Sequence, residues 1–250
     1  MRCGKIMDVD KEKSRITEDL ATLYLRLNGY LTSGFILHSS EEGKIHTELD
    51  GIGVRFRYNR EPERGVAPDA FLNPSNRYND IVLCEVKRGK KLQFNKPLLK
   101  GSDRLARVLR WIGLFNEAEV QRLAPLVLDA LQAKEIASPD IPEVICGENF
   151  RIRGLLIAPE RDVKSRSRTE PFYVGGDILF SYIWKCMRPP ESRPKCGTKY
   201  DYSGWGHLER TVRYFKELDA EGPGTIADLY GELLKPKHDE GAGPPATALG

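Results

Sequence analysis

Apolar and polar positions change their period several times along the chain, and each change predicts an element. In RITEDLATLYLRLNGY, Ile16, Leu20, Leu23 and Leu27 recur at helical spacing, with Ala21 and Leu25 as a second stripe. That pattern predicts a helix packed on two sides. Ser14 suits its N-cap and Gly29 its stop. GFILHSS and HTELDGIGVRFRY then alternate as strands do. Residues 59–79 hold three Pro and four Asn among many charges, which predicts a long loop of the functional or mobile kind. DIVLCEVK is almost continuously apolar and predicts a buried central strand.

Beyond Ser102 the helical period returns in Leu105, Val108, Leu109 and Ile112, with Arg104, Arg107 and Arg110 off that stripe. Helical sequence continues over 117–136, where Pro125 marks a break or a new first turn. FRIRGLLIAP predicts a further strand, and GGDILFSYIWKCM, HLERTVRYFKEL and TIADLYGELL predict helices. Helix, strands, helices, strand, helices in that order is an α/β layout with a mixed sheet. It divides the chain into an N-terminal extension (1–13), a core (14–175) carrying the 59–79 insertion, a helical extension (176–235) and a flexible tail (236–250).

Composition narrows the classes. A chain of 250 residues, 40% hydrophobic and 30% charged, is long enough for a substantial core. No run reaches the ~18 apolar residues that a membrane span needs, and the polar, mixed-charge start is unlike a signal peptide. The five cysteines include no C-x-x-C pair, which argues for reduced thiols in a cytoplasmic protein and against a zinc ribbon. There is no phosphate-binding loop of the Walker type, no G-x-S-x-G elbow, and no metal-ligand spacing among the four histidines.

The candidate chemistry lies at the end of the buried strand. Glu85 and Lys87 flank Val86, so strand alternation sends both charges to one side. A carboxylate and an ammonium leaving an apolar strand together are costly unless they serve each other or a ligand. Asp50 lies in the preceding strand, with Gly51 and Gly53 leaving room beside the backbone. If the two strands pair, Asp50 and Glu85 stand side by side as oxygen ligands suited to Mg²⁺, and Lys87 can serve an attacking water or a developing phosphate charge.

Asp50 followed by Glu85-Val86-Lys87 on a later strand, behind a helix carrying Glu18, resembles the PD-(D/E)XK nuclease superfamily. The local patterns Gly29-Tyr30, ELDGIG at 48–53 and CEVKRG at 84–89 belong to the same resemblance, which covers roughly 14–115 and the strand near 152–158. It implies a restriction-endonuclease-like fold, a mixed central sheet flanked by helices, here with additional C-terminal helices. It also implies that Asp50, Glu85 and the Val86 carbonyl hold Mg²⁺ or Mn²⁺, that Lys87 serves the water and transition state, and that Glu18 completes the site. Two departures stand out. The separation 85 − 50 = 35 is long for the family, and the insertion contains a literal Pro68-Asp69 at 85 − 69 = 16, which keeps Asp69 as the alternative metal-binding Asp.

Net charge is only +3, yet the charge is segregated. Residues 85–110 hold nine basic and two acidic side chains, and 151–168 hold six and two. Residues 185–199 hold five and one, whereas 217–240 hold two basic and seven acidic. Such segregation suits a phosphate-tracking surface, with Arg88, Lys90, Lys91, Arg104 and Arg107 as candidate contacts. The expectation is therefore a metal-dependent DNA nuclease. The alternative is a non-catalytic nucleic-acid-binding or assembly module that keeps the fold, and a homodimer stays open in either case.

Overall fold

The computed structural model describes residues 2–38, 45–61, 65–89, 91–132, 141–166, 170–188, 202–218 and 221–235. Lys90 and the tail expected at 236–250 lie outside these residues.

Helix α1 (Arg2–Leu27) starts twelve residues before Ser14, so the expected N-terminal extension is helical along most of its length. The polar residues before Ser14 include Lys and Glu, good helix formers with no Pro among them, and they continue the helix without an apolar stripe to announce it. Ile16, Leu20, Leu23, Tyr24 and Leu27 are buried, as the period predicts. Gly29 ends the helix with φ 84°. A Cβ there would lie 2.3 Å from Asn59 Oδ1, so both conformation and space demand glycine.

Strands β1 (Leu31–His38), β2 (Ile45–Arg55) and β3 (Asn79–Val86) form an antiparallel meander. Strand β5 (Phe150–Ala158) lies parallel to β3 on its other side, and β4 (Glu143–Cys146) pairs antiparallel with β5. The two-residue β6 (Val174–Gly175) pairs with β5 as well, completing a mixed six-stranded sheet. Neither β4 nor β6 has a pattern long enough to read in the sequence.

Helices α2 (Ser102–Ile112) and α3 (Glu117–Gln132) cover one face, where Ile81, Leu83, Ile152 and Leu156 meet Leu105, Val108, Leu109, Val120 and Leu123. Pro125 neither breaks nor restarts α3. On the other face α1, α4 (Gly176–Met187), α5 (Glu209–Glu217) and α6 (Ile226–Leu233) share a core with Val82, Cys84, Leu155 and Ile157. The alternation along β3 and β5 feeds two cores, which explains their unbroken apolar sequence. No described helix is long and apolar enough to cross a membrane.

The start of β3 is held by Asp80, whose side chain is fully buried. Its Oδ2 accepts from Tyr30 Oη at 2.8 Å and from one guanidinium nitrogen each of Arg151 and Arg153 at 2.6 Å. Its Oδ1 accepts from Arg153 Nε at 3.0 Å and Arg151 Nε at 3.3 Å. The same arginines donate to the carbonyls of Leu72 and Asn73 in the 59–79 loop. That loop is lashed to the core in its described parts, and two of the basic residues counted in 151–168 are internal.

Candidate functional site

At the far end of β3 the sheet is irregular. Ser33 pairs with Ile52 and Phe35 with Leu49, so Asp50 and Gly51 together oppose Gly34 in a β-bulge. The bulge lets Leu49 and Ile52 both enter the core under α2 and α3. Asp50 is re-aimed by it. The backbone N–H of Val86 donates to Asp50 Oδ2 at 2.7 Å, so a carboxylate closes the β2–β3 ladder at this end.

Glu85 and Lys87 share a side as alternation requires, with Lys87 Nζ 2.6 Å from Glu85 Oε2 and 3.0 Å from Asn95 Oδ1. The Glu85 side chain is 0% exposed and that of Lys87 17%. Glu85 Oε1 is buried without a hydrogen-bond partner. Burial pushes the Glu85 carboxyl up to about 7; the Lys87 ammonium and a hydrogen bond from the Asn95 backbone oppose this, and the Asp50 charge adds to it. The same burial raises the Cys84 thiol well above its ordinary range.

Beside this strand end lies a cleft of about 100 Å³ between α1 and β1. Its walls are Glu18, Ala21, Thr22 and Leu25 from α1, Thr32, Ser33 and Gly34 from β1, and Asp50, Gly51, Cys84 and Val86 from the central strands, with His207 at the C-terminal side. Among the expected site residues, Glu18, Asp50 and Val86 line this cleft, whereas Glu85 and Lys87 do not. Asp50 and Glu85 stand near enough for the Asp50 charge to act on the Glu85 carboxyl, although only Asp50 lines the cleft. Asp50 faces the cleft, and Glu85 sits with Lys87 and Asn95.

Asp69 has other work. Its Oδ2 accepts from Tyr24 Oη at 2.8 Å and its Oδ1 from the Phe71 amide at 3.0 Å, while its own amide donates to Asn28 Oδ1 at 2.8 Å. It ties the insertion loop to α1 and is not among the residues lining the cleft.

The expected phosphate contacts divide. Arg88 is held by Glu160 Oε1 at 3.1 Å, the Asp10 carbonyl at 2.8 Å and Ser14 Oγ at 3.2 Å, so it clasps α1 to the end of β5. Arg104 is half-buried and donates to the Pro97 carbonyl. Lys91 and Arg107 are exposed. Their layer, with α2, lies on the sheet face opposite α1.

Asn95 and His207 were not anticipated as site residues. Asn95 lies in a loop without period, and His207 reaches the cleft from the helical extension, far from the strands in sequence. His207 Nε2 is 3.8 Å from Asp19 Oδ1. Burial raises the Asp19 carboxyl to about 6, with His207 and Arg15 acting against that rise.

Comparison with protein-family models, with curated proteins and with solved structures finds no match for this chain.

Proposed function

We propose that the chain is a divalent-metal-dependent nuclease that hydrolyses DNA phosphodiester bonds, built on a restriction-endonuclease-like core. One observation carries this reading: the buried Glu85 carboxylate holds Lys87 at 2.6 Å through one oxygen and leaves the other without a hydrogen-bond partner, at the strand end where Asp50 caps the Val86 amide. A buried carboxylate oxygen with no donor costs roughly 1–3 kcal/mol or more, a cost that a bound cation offsets.

The donor set fits a hard, oxygen-ligated ion. Among the described residues no three His, Cys, Asp or Glu side chains form a metal cluster. Mg²⁺ needs no such cluster, since it takes one or two carboxylates and keeps several waters. Asp50, Glu85 and the Val86 carbonyl would hold it, with Mn²⁺ as a substitute. Bound there, the ion would supply Lewis-acid polarisation of the phosphoryl group and an activated water. Lys87, fixed between Glu85 and Asn95, is placed to stabilise charge on a phosphate. Glu18 adds a carboxylate to the cleft wall. Lys91 and Arg107 offer exposed positive charge on the α2 side of the sheet for DNA beyond the cleft, and Arg88 and Arg104 contribute through the folded framework.

A second reading, a non-catalytic nucleic-acid-binding or assembly module, is favoured by the seclusion of Glu85, which is 0% exposed and outside the cleft lining. Incubation of the full chain with linear, circular and branched DNA, in Mg²⁺, Mn²⁺ or chelator, separates the two. The nuclease reading requires metal-dependent cleavage that is lost in Lys87→Ala and Asp50→Asn while both variants stay folded. Binding without cleavage of any substrate would favour the module instead.

A further inference from the structure

We propose that His207 is a substrate-contacting residue of the cleft, donating from its imidazole to a non-bridging phosphate oxygen of the bound strand; this rests on the nuclease reading. The charges of the cleft motivate it. Its described lining carries the carboxylates of Glu18 and Asp50, no Lys or Arg, and His207 as its one basic side chain. A phosphodiester entering beside two carboxylates meets repulsion, and the His207 imidazole in the same lining supplies a ring N–H donor that can offset it.

The chain is shaped to present this residue. His207 belongs to a short 3₁₀ turn, Ser203–Leu208, that packs on α1. Within it Gly206 adopts φ 58°, ψ −127°, a conformation that side-chain-bearing residues rarely take. On one side of this kink the Trp205 ring lies under the Arg26 guanidinium at 4.5 Å. On the other, Leu208 is buried in the core. The turn is anchored at both ends while the His207 side chain stays 70% exposed, so core packing does not account for its position. Asp19, 3.8 Å away, borders the imidazole from α1.

The test compares the full-length wild type with His207→Ala and His207→Gln. Steady-state cleavage of linear DNA in Mg²⁺ is one readout. Affinity for a short duplex in Ca²⁺, followed by fluorescence anisotropy, is the other. His207→Ala is expected to lose about 10- to 100-fold in kcat/KM, the range of one hydrogen bond to a charged group, and to bind the duplex more weakly. His207→Gln, which keeps a donor, recovers part of both, and the thermal midpoint does not move. Wild-type kcat/KM and affinity in His207→Ala would overturn the assignment while leaving the nuclease reading intact. A wild type that binds DNA but cuts none overturns the nuclease reading; weaker binding by His207→Ala then still supports the phosphate contact, and equal binding removes it. A wild type that neither cleaves nor binds removes both.

Discussion

Strand β3 carries a buried carboxylate at each end, and the two are treated in opposite ways. Asp80 meets two guanidinium groups and a tyrosine hydroxyl, with both oxygens accepting. Glu85, five residues on, meets one ammonium and the Asn95 backbone, keeps its Oε1 without a hydrogen-bond partner, and has its carboxyl pushed up to about 7. A fully satisfied network rigidifies a fold, and a partly satisfied one stores an energetic cost that a ligand can relieve. The contrast distinguishes a structural ion cluster from a candidate site on the same strand, in the same sheet.

The sharpest test of that contrast is removal of each carboxylate. Asp80→Ala leaves Arg151 and Arg153 buried without their counter-ion, and urea denaturation is expected to show a loss of about 3–5 kcal/mol. A loss below about 1 kcal/mol would erase the distinction. Glu85→Gln is expected to do the reverse. At pH 8 it holds stability steady or raises it, since a strained buried charge is gone, while DNA cleavage falls about 10²–10³-fold, the range for removing one electrostatic contribution to a transition state.

The pH dependence of stability follows from the raised Glu85 carboxyl. The ordinary value for the group is 4.5 and in the folded chain it is about 7. Below the ordinary value both states are protonated and the folded state carries no penalty. As pH rises from the ordinary value to the folded one, the unfolded chain ionises while the folded one stays protonated, so stability is lost between about 4.5 and 7 by roughly 3 kcal/mol and no further above it. Chemical denaturation of the metal-free protein at pH 5 and pH 8 is expected to show this loss, and Glu85→Gln to show a flatter profile. Added Mg²⁺ should restore stability at pH 8 in the wild type but not in Asp50→Asn.

Much of the frame was readable beforehand because its signals are local. The α1 stripe, the apolar run of β3 and the period of α2 each decide their element within a dozen residues. The shared side of Glu85 and Lys87 follows from strand alternation alone. What escaped depends on non-local or backbone irregularity. The Asp50–Gly51 bulge, which shifts Asp50 toward the cleft, adds one residue to a strand and leaves no mark in the pattern beyond the glycine. Arg151 and Arg153 looked like surface charge, because a basic residue is buried only when a distant carboxylate such as Asp80 awaits it. Asp69 looked like a motif residue, and its true partners, Tyr24 on α1 and Asn28 just past its end, lie more than forty residues upstream.

The same distinction between spent and available charge applies to the basic segment after β3, with smaller effects. Arg88 already has Glu160, the Asp10 carbonyl and Ser14 as partners, whereas Lys91 is exposed. Arg88→Ala is therefore expected to lower the thermal midpoint by loosening α1 from the end of β5, while the salt dependence of DNA affinity stays close to the wild-type slope. Lys91→Ala should leave the midpoint unchanged and reduce the slope of log affinity against log salt by about 0.9, the share of one phosphate contact. Titrations of labelled duplex at several salt concentrations, read beside melting curves, measure both. If Arg88→Ala flattens the salt slope and Lys91→Ala does not, then the clasp opens when DNA binds, and charge spent in the free protein is not spent in the complex.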